Sequence, residues 1–285
     1  MAGSLYVVAT PIGNLEDLSP RAARVLAEVD LVLAEDTRRT RILMDRAGAS
    51  TKLVSAHRHN EERRSGTVLQ LLEQGRDVAL VSDAGTPVVS DPGARLVAAA
   101  VAEGFTVVPI PGPSAVPAIL SVSGLSADRF LFLGFPPRSG AARRATLARV
   151  AASEDPVVLF EAPFRIATLL DDLADACGRG RKAVVGRELT KLHEEVTHGT
   201  LAEVAAYYRT ADARGEFVIV IEGGAPTDAD DGLSERMASA LAEALLERGE
   251  PVRSVAREVA RRAGLPRNRA YELVQARAEA RKEVT

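Results

Sequence analysis

Cysteine occurs once in these 285 residues, at Cys177, so the chain has no intrachain disulfide, no cysteine-based zinc site and no CxxC redox pair. A reducing cytoplasm is the expected setting. Tryptophan is absent and tyrosine occurs four times, too few rings for an extended platform that stacks single-stranded nucleic acid. Long apolar runs are also missing. The uncharged stretch from Gly104 to Ala127 is broken by Pro109, Pro111, Pro113 and Pro117, and it reads as a strand, a turn and a helix start rather than a membrane span. Met1 to Pro11 carry no basic residue and too short an apolar stretch for a signal peptide, so no export is expected. Three further signatures are lacking: a GxGxxG after the first apolar run, a GxxxxGK[ST] loop and a GxSxG elbow. A dinucleotide Rossmann site, nucleotide hydrolysis and a hydrolase serine lose support accordingly.

What is present is a globular balance, 46% hydrophobic and 26% charged residues, in a chain long enough for two domains and a small appendage. Apolar runs at residues 5–9, 31–34, 53–55, 78–81 and 106–110 are each followed by a turn and an amphipathic segment, the pattern of βαβ units around a parallel sheet. Ser19-Pro20 and Asp91-Pro92 read as N-caps with proline at the first helical position, and Asn60 before Glu61 and Glu62 reads as a third capped start. After Gly124, strands are expected at 130–134, 157–160, 183–186, 195–197 and 217–221, with helices near 141–152, 164–176 and 201–208, in a second, mixed α/β domain. The acidic, turn-rich segment 223–232 reads as a linker to an all-helical module. The expected class is α/β, with domains at 1–115, 116–223 and 233–285.

Net charge is −3, but its distribution is uneven: nine Lys/Arg face four acids from Pro251 to Thr285. A basic tail on an acidic body suggests a polyanionic partner for the tail. Residues 255–274 have the spacing of a helix, a turn at Gly264 and a second helix opened by Arg267, Asn268 and Arg269. That spacing serves a nucleic-acid-binding helix-turn-helix, and equally a small helical bundle with solvated arginines.

The loops collect the unusual residues. Ala9–Asn14, Ser82–Gly93 and Pro109–Ala115 are Pro/Gly-rich and follow the first, fourth and fifth expected strands. One such loop need only turn the chain, but three at the carboxyl edge of a parallel sheet point to a ligand crevice. His57 and His59 have the two-residue spacing that puts both on one strand face, yet Asn60 is better explained as a helix cap and no metal is expected. His193 and His198 read as surface strand residues, while Arg187, Glu188, Thr190 and Lys191 close a strand beside the crevice, as site residues or as an ordinary ion-paired strand end.

Seven motifs in order carry a resemblance: Thr10–Leu18, Ala34–Arg38, Ser82–Pro87 with Ser90–Gly93, Pro111–Ala115, Phe132–Arg138, Phe160–Arg165 and Gly186–Lys191. From Leu5 to about Ile221 the chain resembles the ribosomal RNA small subunit methyltransferase I family of the tetrapyrrole-methylase superfamily, and its helical tail is similar to that family's C-terminal extension. The resemblance implies two α/β domains of the tetrapyrrole-methylase (class III methyltransferase) type plus a small C-terminal helical module. It implies S-adenosylmethionine as methyl donor, no metal, a homodimer, and 2′-O-methylation of a decoding-centre cytidine in 16S ribosomal RNA of the small subunit. Donor contacts are implied for Gly85, Thr86 and Pro87, with threonine where the superfamily carries an acid, and for Pro11, Ser114, Ala115, Phe160 and Leu189.

The chemistry narrows the remaining roles. Methyl transfer from a sulfonium is an in-line displacement, so alignment is the main demand, and a ribose hydroxyl must also lose its proton. Asp36 or Glu35, after the second strand, is the expected base, with Asp17 also near the crevice; Asp36 before Thr37 reads equally as a helix cap. Arg38 and Arg165 are expected to grip phosphate or ribose, and Asn14, Arg267 and Arg269 to touch RNA. Two rivals stand beside this reading: a tetrapyrrole C-methyltransferase, and a ligand-responsive nucleic-acid-binding regulator.

Overall fold

The computed structural model describes residues 2–56, 61–211, 213–224, 228–248, 250–263, 265 and 267–284. The chain forms two compact units, Met1–Gly223 and Gly224–Thr285. In the first, strands β1 (Ser4–Val8), β2 (Leu31–Ala34), β3 (Leu53–Ser55), β4 (Val78–Leu80) and β5 (Thr106–Ile110) form a sheet of order β3-β2-β4-β1-β5. Every pairing is parallel. The central strands are short and apolar because helices cover both faces. Helices α1 (Pro20–Glu28) and α2 (Thr37–Ala47) bring Leu26, Leu43 and Met44 against Val8, Val32 and Val81. On the other face α3 (Glu61–Glu73) and α4 (Ala94–Ala102) bring Val68, Leu72 and Leu96 against Leu5, Leu33 and Leu80. Each such side chain contributes about 1.5–3 kcal/mol by leaving water.

Ser19 caps α1 as its sequence suggests, its hydroxyl accepting the Ala22 amide at 3.1 Å. Asp91-Pro92 does not start a helix. The chain becomes helical only at Ala94, behind Gly93 at φ 119°, because Val88 and Ser90 hold left-handed φ of 77° and 67° and keep the loop turning past Asp91. The uncharged stretch resolves into β5, a loop and α5 (Ala115–Val122). No helix among the described residues is long and apolar enough to cross a membrane.

The second sheet of this unit has the order β6-β7-β10-β8-β9, from β6 (Leu131–Gly134), β7 (Val157–Glu161), β8 (Lys182–Arg187), β9 (Glu195–Thr200) and β10 (Phe217–Ile221). Only β6 and β7 pair in parallel. Helix α5 covers one face, with Val116, Ile119 and Leu120 on Val158, Val184, Val218 and Val220. Helices α6 (Gly140–Ala152), α7 (Ile166–Cys177) and α8 (Leu201–Thr210) cover the other. His198 lies on β9 with its ring 2.9 Å from the Val122 carbonyl, but His193 sits in a turn and not on a strand.

The second unit is a bundle of α9 (Asp228–Glu247), α10 (Val252–Ala263) and α11 (Arg267–Val284). Its core is built of small residues, Ala238, Ala242, Val255, Val259, Ala270 and Val274, which let the helices approach closely. The expected linker ends sooner than its composition suggests: the backbone is already helical at Asp228. Gly264, the expected turn glycine, and the cluster from His57 to Asn60 lie outside the described residues.

Candidate active site

The strand order sets the carboxyl ends of β4, β1 and β5 side by side, and their three loops are fastened into one floor. Thr10 and Gly85 exchange backbone hydrogen bonds of 2.9 and 3.0 Å. The Thr10 hydroxyl donates to the Ser82 carbonyl at 3.3 Å, and the Ser82 hydroxyl to the Gly85 carbonyl at 3.2 Å. Gly112 closes the third side, since a Cβ there would stand 3.1 Å from the Ala9 methyl and 3.2 Å from its carbonyl. Gly85 itself holds φ 79°, a conformation few side chains tolerate.

Over this floor the second sheet supplies a wall from the ends of β7, β8 and β10, enclosing a cavity of about 310 Å³. That is the lower end of the range for small-molecule sites. Ile12, Phe135, Phe160 and Leu189 give it apolar surface, and Asp91, Glu161, Glu216 and Lys191 give it charge. Carboxylates outnumber cations on the wall, which favours a ligand with an apolar body and positive charge.

The charged groups are tightly held. The Glu161 side chain is fully enclosed; its Oε1 accepts the Ala162 amide at 2.8 Å and its Oε2 lies 3.0 Å from Arg165 Nη2 without hydrogen-bond alignment. The same Nη2 donates to the Pro136 carbonyl at 2.6 Å. Arg165 is therefore a brace that neutralises a buried carboxylate and pins the loop after β6, not a free grip for phosphate. Lys191 Nζ donates to Glu188 at 2.8 Å and to Glu216 at 2.9 Å. Burial alone would push the Lys191 pKa down, but these two carboxylates outweigh it and raise it, so the ammonium persists. Burial likewise works to raise the Glu188 pKa, and the Lys191 and Glu216 hydrogen bonds lower it on balance.

Backbone strain gathers at the same place. Among the described residues the non-glycine positions with positive φ are Val88, Ser90, Glu188 and Thr190, all in the loops after β4 and β8. Each costs on the order of 1–3 kcal/mol and persists only where its surroundings enforce it. The Thr190 hydroxyl accepts the Asn14 amide at 3.0 Å, tying the first loop to the strained one. A Cβ on Gly215, at φ 87°, would collide with the Glu188 carboxyl.

Of the residues singled out from sequence, Gly85, Thr86, Ser114, Ala115, Phe160, Leu189 and Lys191 line the cavity. Pro11 and Pro87 are buried but are not among the lining residues. Asp36 is the N-cap of α2: its Oδ1 accepts the Arg38 amide at 2.8 Å, and Arg38 also grips both carboxylate oxygens, at 3.1 and 2.8 Å. The Arg38 hydrogen bonds pull the Asp36 pKa down to about 2, which weakens it as a proton acceptor. Its amide donates to Asp83 at 2.9 Å, and Asp83 also faces Arg39 at 3.6 Å, so the start of α2 is linked to the loop carrying Ala84 and Gly85. Glu35 adjoins this network, half-buried. Asp17 ends an exposed turn, Leu15–Asp17, that Asn14 caps by accepting the Glu16 amide at 3.0 Å; neither lines the cavity. Arg267 and Arg269 belong to the second unit. Among the described residues no His, Cys, Asp and Glu group is arranged to hold a metal.

Of the acidic wall residues, Asp91 and Glu161 stood inside motifs visible in the sequence without a role of their own, and Glu216 was missed. The available signal for Glu161 was an acid closing the apolar run of residues 157–161 directly before Ala-Pro.

Tetrapyrrole (Corrin/Porphyrin) Methylases, as a family, match residues 4–205. Ribosomal RNA small subunit methyltransferase I of Xylella fastidiosa is 46% identical over 271 residues, 94% of this chain and 98% of that protein. The chain belongs to the ribosomal RNA small subunit methyltransferase I family. The Synechocystis member is 42% identical over 95% of this chain and 97% of its own length. Among solved structures, cobalt precorrin-4 methyltransferase superposes with a TM-score of 0.61 at 17% identity, over 77% of this chain and 94% of that one. Uroporphyrin-III C-methyl transferase from Thermus thermophilus, complexed with S-adenyl homocysteine, gives 0.55 at 20% identity, over 76% and 97%. These likenesses show that the two sheets have the tetrapyrrole-methylase fold, and in this chain α9, α10 and α11 follow it.

Proposed function

We propose that this chain transfers a methyl group from S-adenosylmethionine to the 2′-oxygen of a decoding-centre cytidine in 16S ribosomal RNA, in the cytoplasm and as a homodimer. The observation that carries this is the cavity itself, a mostly apolar chamber with carboxylates on its wall, in a chain of this family. Such a wall suits a donor that joins a flat purine to a sulfonium and an ammonium. Phe135, Phe160 and Leu189 would enclose the apolar part, while Gly85 and Ser114 let the backbone come close. With Glu161 neutralised by Arg165 and Lys191 shared between Glu188 and Glu216, the wall keeps a modest excess of carboxylate toward the donor's positive charge.

The donor, once bound, supplies an electrophilic methyl group on sulfur. The ribose oxygen gains the new C–O bond as the C–S bond breaks, and its proton passes to a carboxylate. With Asp36 held at about pKa 2 by Arg38, Glu35 is the acid we assign to that proton. Arg38, whose side chain is 90% exposed, and Arg39 at 65% stand on α2 to hold RNA phosphate near the floor. Alignment supplies most of the acceleration, so the stapled loops matter more than any one proton acceptor.

The test is transfer of labelled methyl to purified small ribosomal subunits that lack the modification, with mass spectrometry of the RNA. Label on a cytidine 2′-oxygen is expected. No transfer to subunits or naked RNA with donor binding intact overturns the reading and makes a tetrapyrrole the next substrate to try.

A further inference from the structure

The tail carries a second concave place, a hollow of about 400 Å³ between α10 and α11, walled by Arg253, Arg257, Arg267, Tyr271 and Ala256. Arg253 and Arg257 are one helical turn apart on α10, and Arg267 and Tyr271 one turn apart on α11, so each pair shares a face. All four are exposed, Tyr271 at 41%. Three carboxylates of this unit pair with other arginines. Glu258 accepts from Arg261 at 2.6 Å and from Arg262 at 2.5 Å, Glu243 from Arg277 at 2.7 Å, and Glu272 lies 3.9 Å from Arg269. Among the described residues no ion pair neutralises Arg253, Arg257 or Arg267. Three guanidiniums converging without a counter-charge repel one another, and an anion relieves that repulsion.

We propose that this hollow holds one unstacked nucleotide of single-stranded RNA, with its phosphates on the three arginines and its base against the Tyr271 ring. The planar forks of arginine match phosphate oxygens two at a time, and an exposed ring among them accepts a base face. A splayed base is available in single strands and loops, whereas a duplex keeps its bases stacked. The inference rests on RNA being the substrate, and it adds Arg253, Arg257 and Tyr271 to the contact surface. Arg269, expected there from sequence, is not among the hollow's lining residues.

The experiment uses the full chain and a short fluorescent single-stranded RNA, read by anisotropy across a salt series. The Arg253→Ala/Arg257→Ala variant is expected to weaken binding at least about tenfold and to flatten the salt slope by roughly 1.4, near 0.7 for each phosphate no longer neutralised. Tyr271→Ala is expected to cost about tenfold, with Tyr271→Phe near the parent. The control is Arg261→Ala/Arg262→Ala, which removes the same charge from arginines already paired with Glu258. Equal losses in the two double variants, or competition by duplex RNA as strong as by single strands, overturns the proposal; thermal melts and donor binding confirm that each variant is folded. Methyl transfer by the parent is scored separately: a parent that transfers nothing while the hollow variants lose RNA fails the function alone, and a parent that transfers normally while they bind normally fails the hollow alone.

Discussion

The cavity of the body and the hollow of the tail are built on opposite electrostatic plans. The cavity over the first sheet is walled by rings, small residues and carboxylates, and its lysine is tied by two glutamates. The hollow on the tail is walled by arginines with no carboxylate among its lining residues. One suits a small cation with an apolar body, the other a phosphodiester. The two also differ in how they are held: the cavity is fastened by backbone exchange and strained loops, whereas the hollow rests on two helix faces over an alanine- and valine-rich core. A methyl donor must be aligned to a fraction of an ångström, while a phosphate chain tolerates sliding.

Filling the cavity should break the contrast most severely. Gly85→Val puts a β-branched residue at φ 79° and its Cβ 3.3 Å from Ile12, so donor affinity by calorimetry should fall at least about a hundredfold, with RNA binding by the tail unchanged. Retained donor binding would mean that the floor is not the ligand surface. Arg165→Ala comes next. It leaves the enclosed Glu161 carboxylate without its cation, and urea unfolding should show a loss on the order of 3 kcal/mol, largely restored when Glu161→Leu is added. A stability near that of the parent would restore Arg165 as a candidate RNA contact.

The smallest expected effects concern Asp36. If it is a cap and ion-pair partner, Asp36→Asn keeps an acceptor for the Arg38 amide, and methyl transfer should fall no more than about threefold with its pH profile unmoved. Glu35→Gln should instead cost about a hundredfold or more, within the range of general-base catalysis. The pH dependence has a defined sign. Because the folded-state pKa of Asp36 is lowered to about 2, its contribution to stability is complete above the unfolded value near 4 and is lost as pH falls from there toward 2. Melting curves of the parent should steepen their decline in that window relative to Asp36→Asn.

Most strands were legible, and the reason is local: short β-branched runs between turn signals, as in β2, β3 and β10, form strands with the ends expected of them. Loop conformation was not. Asp91-Pro92 has the chemistry of a helix start, but the left-handed φ of Val88 and Ser90 leaves no mark in composition. Site residues followed the same division. Gly85, Ser114 and Phe160 stood in loops or strand ends whose motifs were visible, whereas Glu161 became part of the wall only because β7 carries its last residue over a floor built by the other sheet. Arg165 shows the converse error, since a basic residue after a strand looks free until the buried acid four positions before it is seen.

The lining of the cavity begins at Ile12 and ends at Val218. During synthesis the first sheet has all five strands once Ile110 has emerged, yet its floor stays open until β10 is made, more than a hundred residues later. An amino-terminal fragment that stops after β5 thus holds the floor residues but none of the wall, and the cavity has its full lining only once β10 has been made.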